Sequence, residues 1–440
     1  MEEKFEQVEK ILKKTGQEHL LKQYERLTDD KKKQEFLNSI LTIDFDAINE
    51  IYLNSKKNSD NEDFTIEPIK FIDKEKIDEK EYIEYEKLGK EIIKNGKLAV
   101  VTMAGGQGTR LGHTGPKGTF DLGLGNQKSI FEILCDTLKA ENEKYGVSVP
   151  WYIMTSDENN AETVEFFEKN NYFGYNKGDI FFFTQSKLPM VDTEGKCLID
   201  EKGNIKEAAD GHGGIFKSIL KGGALYDMQS RGIEWVFIGG VDNVLVKPVD
   251  PVLIGLSIKE NVEAAGKSII KANPHEKVGI FCKRNGRPSV IEYSEISDEL
   301  AEERLKNGEL KYAESHILCN LFSLSAINKI SSIDLPYHVA FKKAKYIDND
   351  GKLVISDKPN AYKFESFLKY CSALCFYCKY GTHPCCIQRL QLHLPCLEGK
   401  LACILALQLN QKGHHSYFSQ VFLQYFSTPA SFSCQECSIY

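Results

Sequence analysis

Between residue 2 and about residue 95, Phe, Leu, Ile and Val return every three or four positions within dense Lys, Glu and Asp, as in FEQVEKILKK and KKKQEFLNSILTIDFDAI. That period stripes the apolar side chains along one helix face and leaves the charges to solvent, so it predicts a helical N-terminal segment, residues 1–95, packed on the main domain. At Lys97 the period changes. Short apolar runs (LAVVTM, WYIMTS, DIFFFT, WVFIGG, SIIKA) now alternate with amphipathic stretches (SIFEILCDTLKAENEKY, AETVEFFEKN, GIFKSILKGGALYDM). Unbroken apolar runs suit strands covered on both faces, and their alternation with helices predicts an α/β fold with a doubly wound, mostly parallel sheet. Ligands of such sheets bind beyond the carboxyl ends of the strands, which singles out the loops after Met103, Ser156, Thr184 and Gly239. Shorter strand-like pieces between 277 and 365 (KVGIFCKR, PSVIEYSEI, HILCNLFSL) predict a smaller β-rich lobe.

Composition narrows the function classes. The 440 residues carry a net charge of −7 without a long basic face, which argues against nucleic acid as a partner. The charged N-terminus lacks the apolar core of a secretion signal and no apolar run is long enough to span a membrane, so a cytoplasmic location is expected. Four cysteines (Cys135, Cys197, Cys282, Cys319) precede residue 365, as in a reduced protein that buries them as small apolar groups, and nine follow it. From 366 onward there is no Asp, and Glu398 and Glu436 are the only acidic residues. This break sets residues 368–440 apart as a Cys-rich tail foreign to the fold of 96–367. A zinc module on Cys375, Cys378, Cys434 and Cys437 is disfavoured because the two pairs lie too far apart, and a disulfide scaffold conflicts with the reduced body.

The strand LAVVTM runs straight into AGGQGTRLGHTGPKG, with glycines at 105, 106, 108, 112, 115 and 118 and the cations Arg110 and Lys117. Glycines let a loop turn sharply and aim backbone N–H groups at an anion. Two common phosphate loops are ruled out. A dinucleotide fingerprint from Gly106 and Gly108 would need Gly or Ala where Leu111 stands, and a Walker loop ending in Gly266-Lys267-Ser268 would need glycine where Asn261 stands.

AGGQGTRLG followed by PKG instead resembles the signature of the UTP:sugar-1-phosphate uridylyltransferases, most closely the UDP-N-acetylhexosamine pyrophosphorylase group. Thr184-Gln185 with Leu188-Pro189, Asp210-Gly211-His212-Gly213-Gly214, Val241-Asp242-Asn243, Val290 to Glu295, His338-Val339-Ala340 with Lys342-Lys343, Lys358-Pro359-Asn360 and Lys363-Phe364-Glu365 continue it in order. The resemblance covers roughly 90–367. It implies a Rossmann-like nucleotidyltransferase fold of the glycosyltransferase-A type and attack of a sugar-1-phosphate oxygen on the α-phosphorus of UTP, with pyrophosphate leaving.

Such a transfer needs positioning and charge neutralisation more than a protein nucleophile. The resemblance implies that Ala104, Gly105, Gly106, Gly108, Thr109, Gln185, Gly211 and His212 bind the nucleotide, Gln185 reading uracil, and that Gly213, Gly214, Asn243, Glu292, His316 and Asn320 lie on the sugar side. Arg110 is suited to a bidentate phosphate contact, Lys117 to a point charge at a phosphate, and Lys363 to charge stabilisation; Asp242 would hold Mg²⁺. Each has a plainer alternative. Lys117 could be an ordinary exposed lysine, Asp242 could cap the helix beginning near Pro248 and Asp250, Glu292 could face solvent, and His212 could pack quietly on backbone. Where the acetylhexosamine enzymes share Asn-Ile-x-x-His, this chain has His316-Ile317-Leu318-Cys319-Asn320, and His212 stands where they often have Asn. N-acetylglucosamine 1-phosphate is the leading expected substrate, with glucose 1-phosphate behind it. A UTP-binding fragment lacking the closing lobe is the expectation from another class.

Overall fold

The computed structural model describes residues 2–57, 64–123, 128–293, 295–333, 335–367 and 387–389. Four helices open the chain, α1 (Glu2–Thr15), α2 (His19–Arg26), α3 (Asp30–Thr42) and α4 (Phe45–Lys57), followed by β1 (Ile66–Pro68), β2 (Ile72–Asp73) and α5 (Glu79–Lys94). Next come β3 (Leu98–Met103), α6 (Ile130–Tyr145), β4 (Trp151–Thr155), α7 (Asn160–Lys169), β5 (Ile180–Thr184), β6 (Lys187–Pro189) and β7 (Glu207–Ala209). Helices α8 (Ile215–Lys221) and α9 (Ala224–Ser230) lead to β8 (Trp235–Gly240), α10 (Pro251–Lys259), β9 (Ala264–Ile270), β10 (Gly279–Arg284), β11 (Arg287–Ile291), α11 (Asp298–Glu302), β12 (Glu314–Ser323) and α12 (Leu324–Ser331). Strands β13 (His338–Lys342), β14 (Tyr346–Ile347), β15 (Leu353–Val354), β16 (Ala361–Glu365) and β17 (Ile387–Arg389) complete the described elements.

The chain divides into two compact units, each discontinuous in sequence. One takes Thr65–Thr184 and Ile219–Lys329 and holds the large sheet, ordered β2-β17-β9-β12-β8-β3-β4-β5, with β10, β11 and β1 attached through β12. β8, β3, β4 and β5 run parallel, in the α/β arrangement that the apolar runs predict. β8, β3 and β4 are buried on both faces and the edge strand β5 is half-buried; the indole of Trp151 donates to Thr102 Oγ at 2.8 Å across the β3–β4 pair. Helix α6 is started by Ser129, whose hydroxyl accepts from the Glu132 N–H, and stopped by Gly146 in the left-handed region.

The strand-rich stretch from 277 is divided between the units. Its strands β10, β11 and β12 extend the large sheet, and β12 lies inside that sheet between β9 and β8, antiparallel to both. β13 and β16 pair with each other in the second unit, which takes the residues up to Phe64, Gln185–Ser218 and Ile330–Cys371. Its core joins the apolar stripes of the N-terminal helices (Val8, Leu12, Leu20, Phe36, Leu37, Ile40) to Val191, Ile199, Ile205 and Phe364. Cys135, Cys197, Cys282 and Cys319 are buried free thiols. Of the tail, β17 is described and runs parallel to β2 and β9; the cysteine pairs 375/378 and 434/437 lie outside the described residues. No helix among the described residues is long and apolar enough to cross a membrane.

Candidate active site

The glycine loop begins where β3 ends. The Ala104 N–H donates to the Met154 carbonyl, and the loop then closes on itself: Gly108 N–H to Gly115 C=O at 2.9 Å, Lys117 N–H to Gly106 C=O at 3.1 Å. Two short 3₁₀ turns, Gly108–Leu111 and Lys117–Thr119, carry Arg110 and Lys117. Gly115 has φ +135°, and a Cβ there would lie 2.7 Å from a Glu162 carboxylate oxygen, so only glycine fits. Gly106 is exposed, with open space where a Cβ would stand, which leaves its backbone approachable from solvent. The root of the loop is gripped from the neighbouring strand. Asn159, fully buried after β4, donates from Nδ2 to the carbonyls of Ala104 (3.1 Å) and Gly106 (3.3 Å) and accepts from the Ser156 N–H.

Lys117 reaches the end of β8. The Val241 N–H donates to the Met103 carbonyl, which carries the β3–β8 pairing one step further, and Asp242 follows on a turn. Lys117 Nζ stands 2.5 Å from Asp242 Oδ1, the lysine side chain 15% exposed and the carboxylate 55%. Asp242 caps no helix: α10 is capped by Asp250, whose carboxylate accepts from the Val252 and Leu253 N–H groups. Burial would raise the pKa of Asp250, but Lys267 and Lys74 overcome it, with the helix amides assisting, and hold the group at about 2. Lys267, itself buried, lies 2.8 Å from Asp250 and donates to the Lys247 carbonyl, so the segment from β8 to α10 is braced from beneath. Arg110 is exposed and makes no ion pair with the described residues.

On the other side of Asp242, Asn243 Nδ2 lies 3.6 Å from Cys319 Sγ on β12; burial pushes that thiol up to about 11. β12 bulges between His316 and Asn320, with Leu318 at φ +53°. The bulge brings the two side chains together, His316 Nε2 donating to Asn320 Oδ1 at 3.2 Å. Burial lowers the His316 pKa to about 4, with Asn320 opposing, so the ring is neutral at physiological pH. Asn320 Nδ2 is buried and has no partner among the described residues. His316 pairs in register with Gly279, and a Cβ on Gly279 would lie 3.5 Å from the Glu292 carboxylate oxygens. His316 and Asn320 are thus in direct contact, Asn243 reaches the intervening Cys319, and Glu292 lies beside Gly279, the register partner of His316.

The second unit holds the other glycine turn. Asp210 is 2% exposed and accepts from Ser186 Oγ at 2.5 Å. The turn is stitched to the segment after β16: Ser366 N–H donates to the Asp210 carbonyl, and Gly213 N–H to the Ser366 carbonyl. At Gly211, φ +84°, a Cβ would lie 2.3 Å from that same carbonyl oxygen. The His212 ring lies 5.2 Å from that of Phe367, centroid to centroid. Lys363 Nζ lies 2.6 Å from Glu365 Oε1, both about a quarter exposed, and Gln185 opens this unit, half-buried.

A family model described as UTP–glucose-1-phosphate uridylyltransferase matches residues 42–375, spanning the glycine loop, Asp242 and the turn at 210–214. The chain belongs to this family. A Schizosaccharomyces pombe protein described as a probable UDP-N-acetylglucosamine pyrophosphorylase is 37% identical over 379 residues, 81% of this chain and 78% of that protein. The Saccharomyces cerevisiae UDP-N-acetylglucosamine pyrophosphorylase is 42% identical over 297 residues, 65% of this chain and 61% of its own length, so the chain spans less than two thirds of that relative. Among solved structures, the uridine diphosphate N-acetylglucosamine pyrophosphorylase of Trypanosoma brucei matches with a TM-score of 0.73 at 30% identity, over 88% of this chain and 79% of that one.

The uridylyltransferase family is one of sugar nucleotidyltransferases, and its match opens well before the first motif residue, taking in α4 and α5. Within the sheet unit the structure gathers Ala104 to Arg110, Lys117, Asp242, Asn243, Glu292, His316 and Asn320 on neighbouring loops and strands. Gln185, Gly211 to Gly214 and Lys363 belong to the second unit. Two residues escape the motif. Asn159 and Lys267 are far in sequence from what they hold, and the one signal for Asn159 is its position just after a strand end at which the fold class predicts a working loop.

Proposed function

We propose that this chain transfers the uridylyl group of UTP to a sugar 1-phosphate, N-acetylglucosamine 1-phosphate first, releasing pyrophosphate. The observation that carries this reading is the Lys117–Asp242 pair at the carboxyl ends of the adjacent strands β3 and β8, at the mouth of the glycine loop. The loop amides and Arg110 take up phosphate charge. Lys117 directs its ammonium to the phosphate under attack, where preorganised charge lowers the barrier without reorganising during the reaction. Asn159 fixes the loop against β4, so that the attacking and leaving oxygens stay in line. Gln185, Gly211 and His212 are proposed for the base and ribose, Gly213 and Gly214 for the sugar side, and Lys363 for phosphate charge.

Asp242 would hold Mg²⁺. Among the described residues no three His, Cys, Asp or Glu side chains cluster as a protein cage. A lone, half-exposed carboxylate beside a phosphate loop suits a hard cation that keeps water and takes most of its oxygens from substrate phosphates. When bound, the ion would supply charge neutralisation on the phosphates.

Glucose 1-phosphate is the second reading, and the His316–Asn320 bond is compatible with it. The ring N–H is spent on Asn320, which leaves the Asn320 amide N–H₂ as the group to be satisfied. That donor suits a sugar hydroxyl as well as an acetamido oxygen. The test is pyrophosphate release from UTP with each sugar 1-phosphate, with Mg²⁺ and with chelator. Turnover with N-acetylglucosamine 1-phosphate at the higher kcat/KM supports the leading reading, and the reverse ranking supports the second. UTP binding without turnover on either sugar refutes both and leaves a nucleotide-binding protein.

A further inference from the structure

Within the glycine loop, His113 has no role in the motif itself, yet its ring lies at the loop's centre. Its backbone N–H donates to the Gly108 carbonyl, and a Cβ on Gly108 would lie 2.8 Å from the His113 side chain. A Cβ on Gly115 would come within 3.4 Å of its Nε2, and its ring meets Phe120 edge-on with centroids 5.6 Å apart. Its Nε2 lies 2.8 Å from Thr119 Oγ, and the same hydroxyl lies 2.8 Å from the Pro116 carbonyl.

The direction of this chain of hydrogen bonds follows from proton counting. The Pro116 carbonyl can only accept, so the single hydroxyl proton of Thr119 goes to it. The hydroxyl oxygen must then accept, so the ring nitrogen facing it carries a proton. The chain His113 Nε2–H to Thr119 Oγ–H to Pro116 C=O closes around the 3₁₀ turn 117–119 and fixes both residues that flank Lys117-Gly118.

We propose that His113 is a positioning residue for Lys117: through Thr119 it holds the turn that aims the lysine at Asp242. This rests on the uridylyltransferase reading for its catalytic meaning, but the placement of Lys117 can be read separately. Misplacing a catalytic group by about 1 Å is enough to lower turnover on the order of 10²-fold.

The experiment compares His113→Ala, His113→Gln, Thr119→Val, Thr119→Ser and the double variant His113→Ala/Thr119→Val on the full chain. Gln keeps a donor near the position of Nε2, and Ser keeps the hydroxyl. One readout is kcat and KM with UTP and N-acetylglucosamine 1-phosphate. The other, independent of activity, is the rate at which a water-soluble acylating reagent modifies Lys117, followed by peptide mass spectrometry against the other lysines of the same sample. His113→Ala and Thr119→Val are expected to lower kcat by about 10-fold or more and to raise Lys117 acylation about 3-fold or more. His113→Gln and Thr119→Ser should stay within about 3-fold of the parent in kcat, and the double variant should be no worse than the poorer single one, because both break one chain.

Lys117 acylation unchanged in His113→Ala overturns the proposal. So does His113→Gln falling as far as Ala, or a double variant that multiplies the two losses. A parent chain with no turnover whose Lys117 acylation still follows this pattern sinks the uridylyltransferase reading and leaves the positioning role standing.

Discussion

Lys117 is largely covered while its partner Asp242 is more than half exposed, so the pair contributes little to folding. Lys117→Ala and Asp242→Ala should each lower kcat by about 10²- to 10³-fold in the pyrophosphate-release assay. Both should melt within about 3 °C of the parent. His316 behaves in the opposite way, as a residue whose charge state matters to the fold. Its folded pKa of about 4 lies below the ordinary 6.5, so the unfolded chain binds a proton that the folded chain refuses. Its contribution is therefore fully present above pH 6.5 and is lost as pH falls through the interval down to 4, by about 3 kcal/mol. Urea titrations at several pH values should show that slope, and His316→Gln should flatten most of it. His19, also lowered by burial, adds to the slope in the same direction and would leave a remainder. Legibility at this scale follows locality. Arg110, Lys117 and Asp242 stand inside short stretches whose residue types carry the meaning, whereas Asn159 is marked only by what it touches.

Between residue and fold, the elements act as holders. The glycine loop is gripped by Asn159 from the loop after β4, and the segment that leads from the Asp242 turn to α10 is braced at Lys247 and Asp250 by Lys267 from β9. Asn159→Ala should therefore lower kcat/KM for UTP by about 10- to 100-fold, since the loop would keep its sequence but lose its seat. Lys267→Met is expected to act on stability first, by up to about 3–5 kcal/mol, because it takes the nearer of two cations from the buried Asp250 carboxylate and leaves Lys74 at 3.9 Å. Both urea midpoints should fall, since Asn159 is itself buried and hydrogen-bonded to the backbone; a loss of kcat/KM in protein that is still folded, seen for Asn159→Ala and not for Lys267→Met, would separate the two kinds of support. The strands and helices themselves were readable because each buries residues in a period its own sequence displays. The position of β12 was not, since HILCNLFSL reads as a strand without stating its neighbours, and the bulge that joins His316 to Asn320 depends on pairing with β9.

At the scale of the molecule, each unit is assembled from segments far apart in the sequence, and that is where linear reading ends. The stripe on α1 to α3 announced that it needed a partner but not that Val191 and Phe364 would supply it. The composition break after 366 was plain in the sequence, and most of it lies outside the described residues. A chain ending after Arg389, which keeps β17, is expected to retain turnover within about 2-fold. It should also scatter less light on standing, because it lacks a stretch rich in cysteine and aromatic residues, a composition that promotes association. Activity lost with the shortened chain would mean that the tail contributes to catalysis.

The insertion of β12 between β8 and β9 bears on how the protein is born. When β8 leaves the ribosome it can pair with β3 at once, but its other edge has to wait for residues 314–323. At synthesis rates of about 5–20 residues per second, that edge stays open on the order of ten seconds. During this interval WVFIGG presents an unpaired, apolar backbone ladder to other nascent chains. The strand that joins β8 to β9 is thus also the one whose late arrival sets how long that edge needs protection.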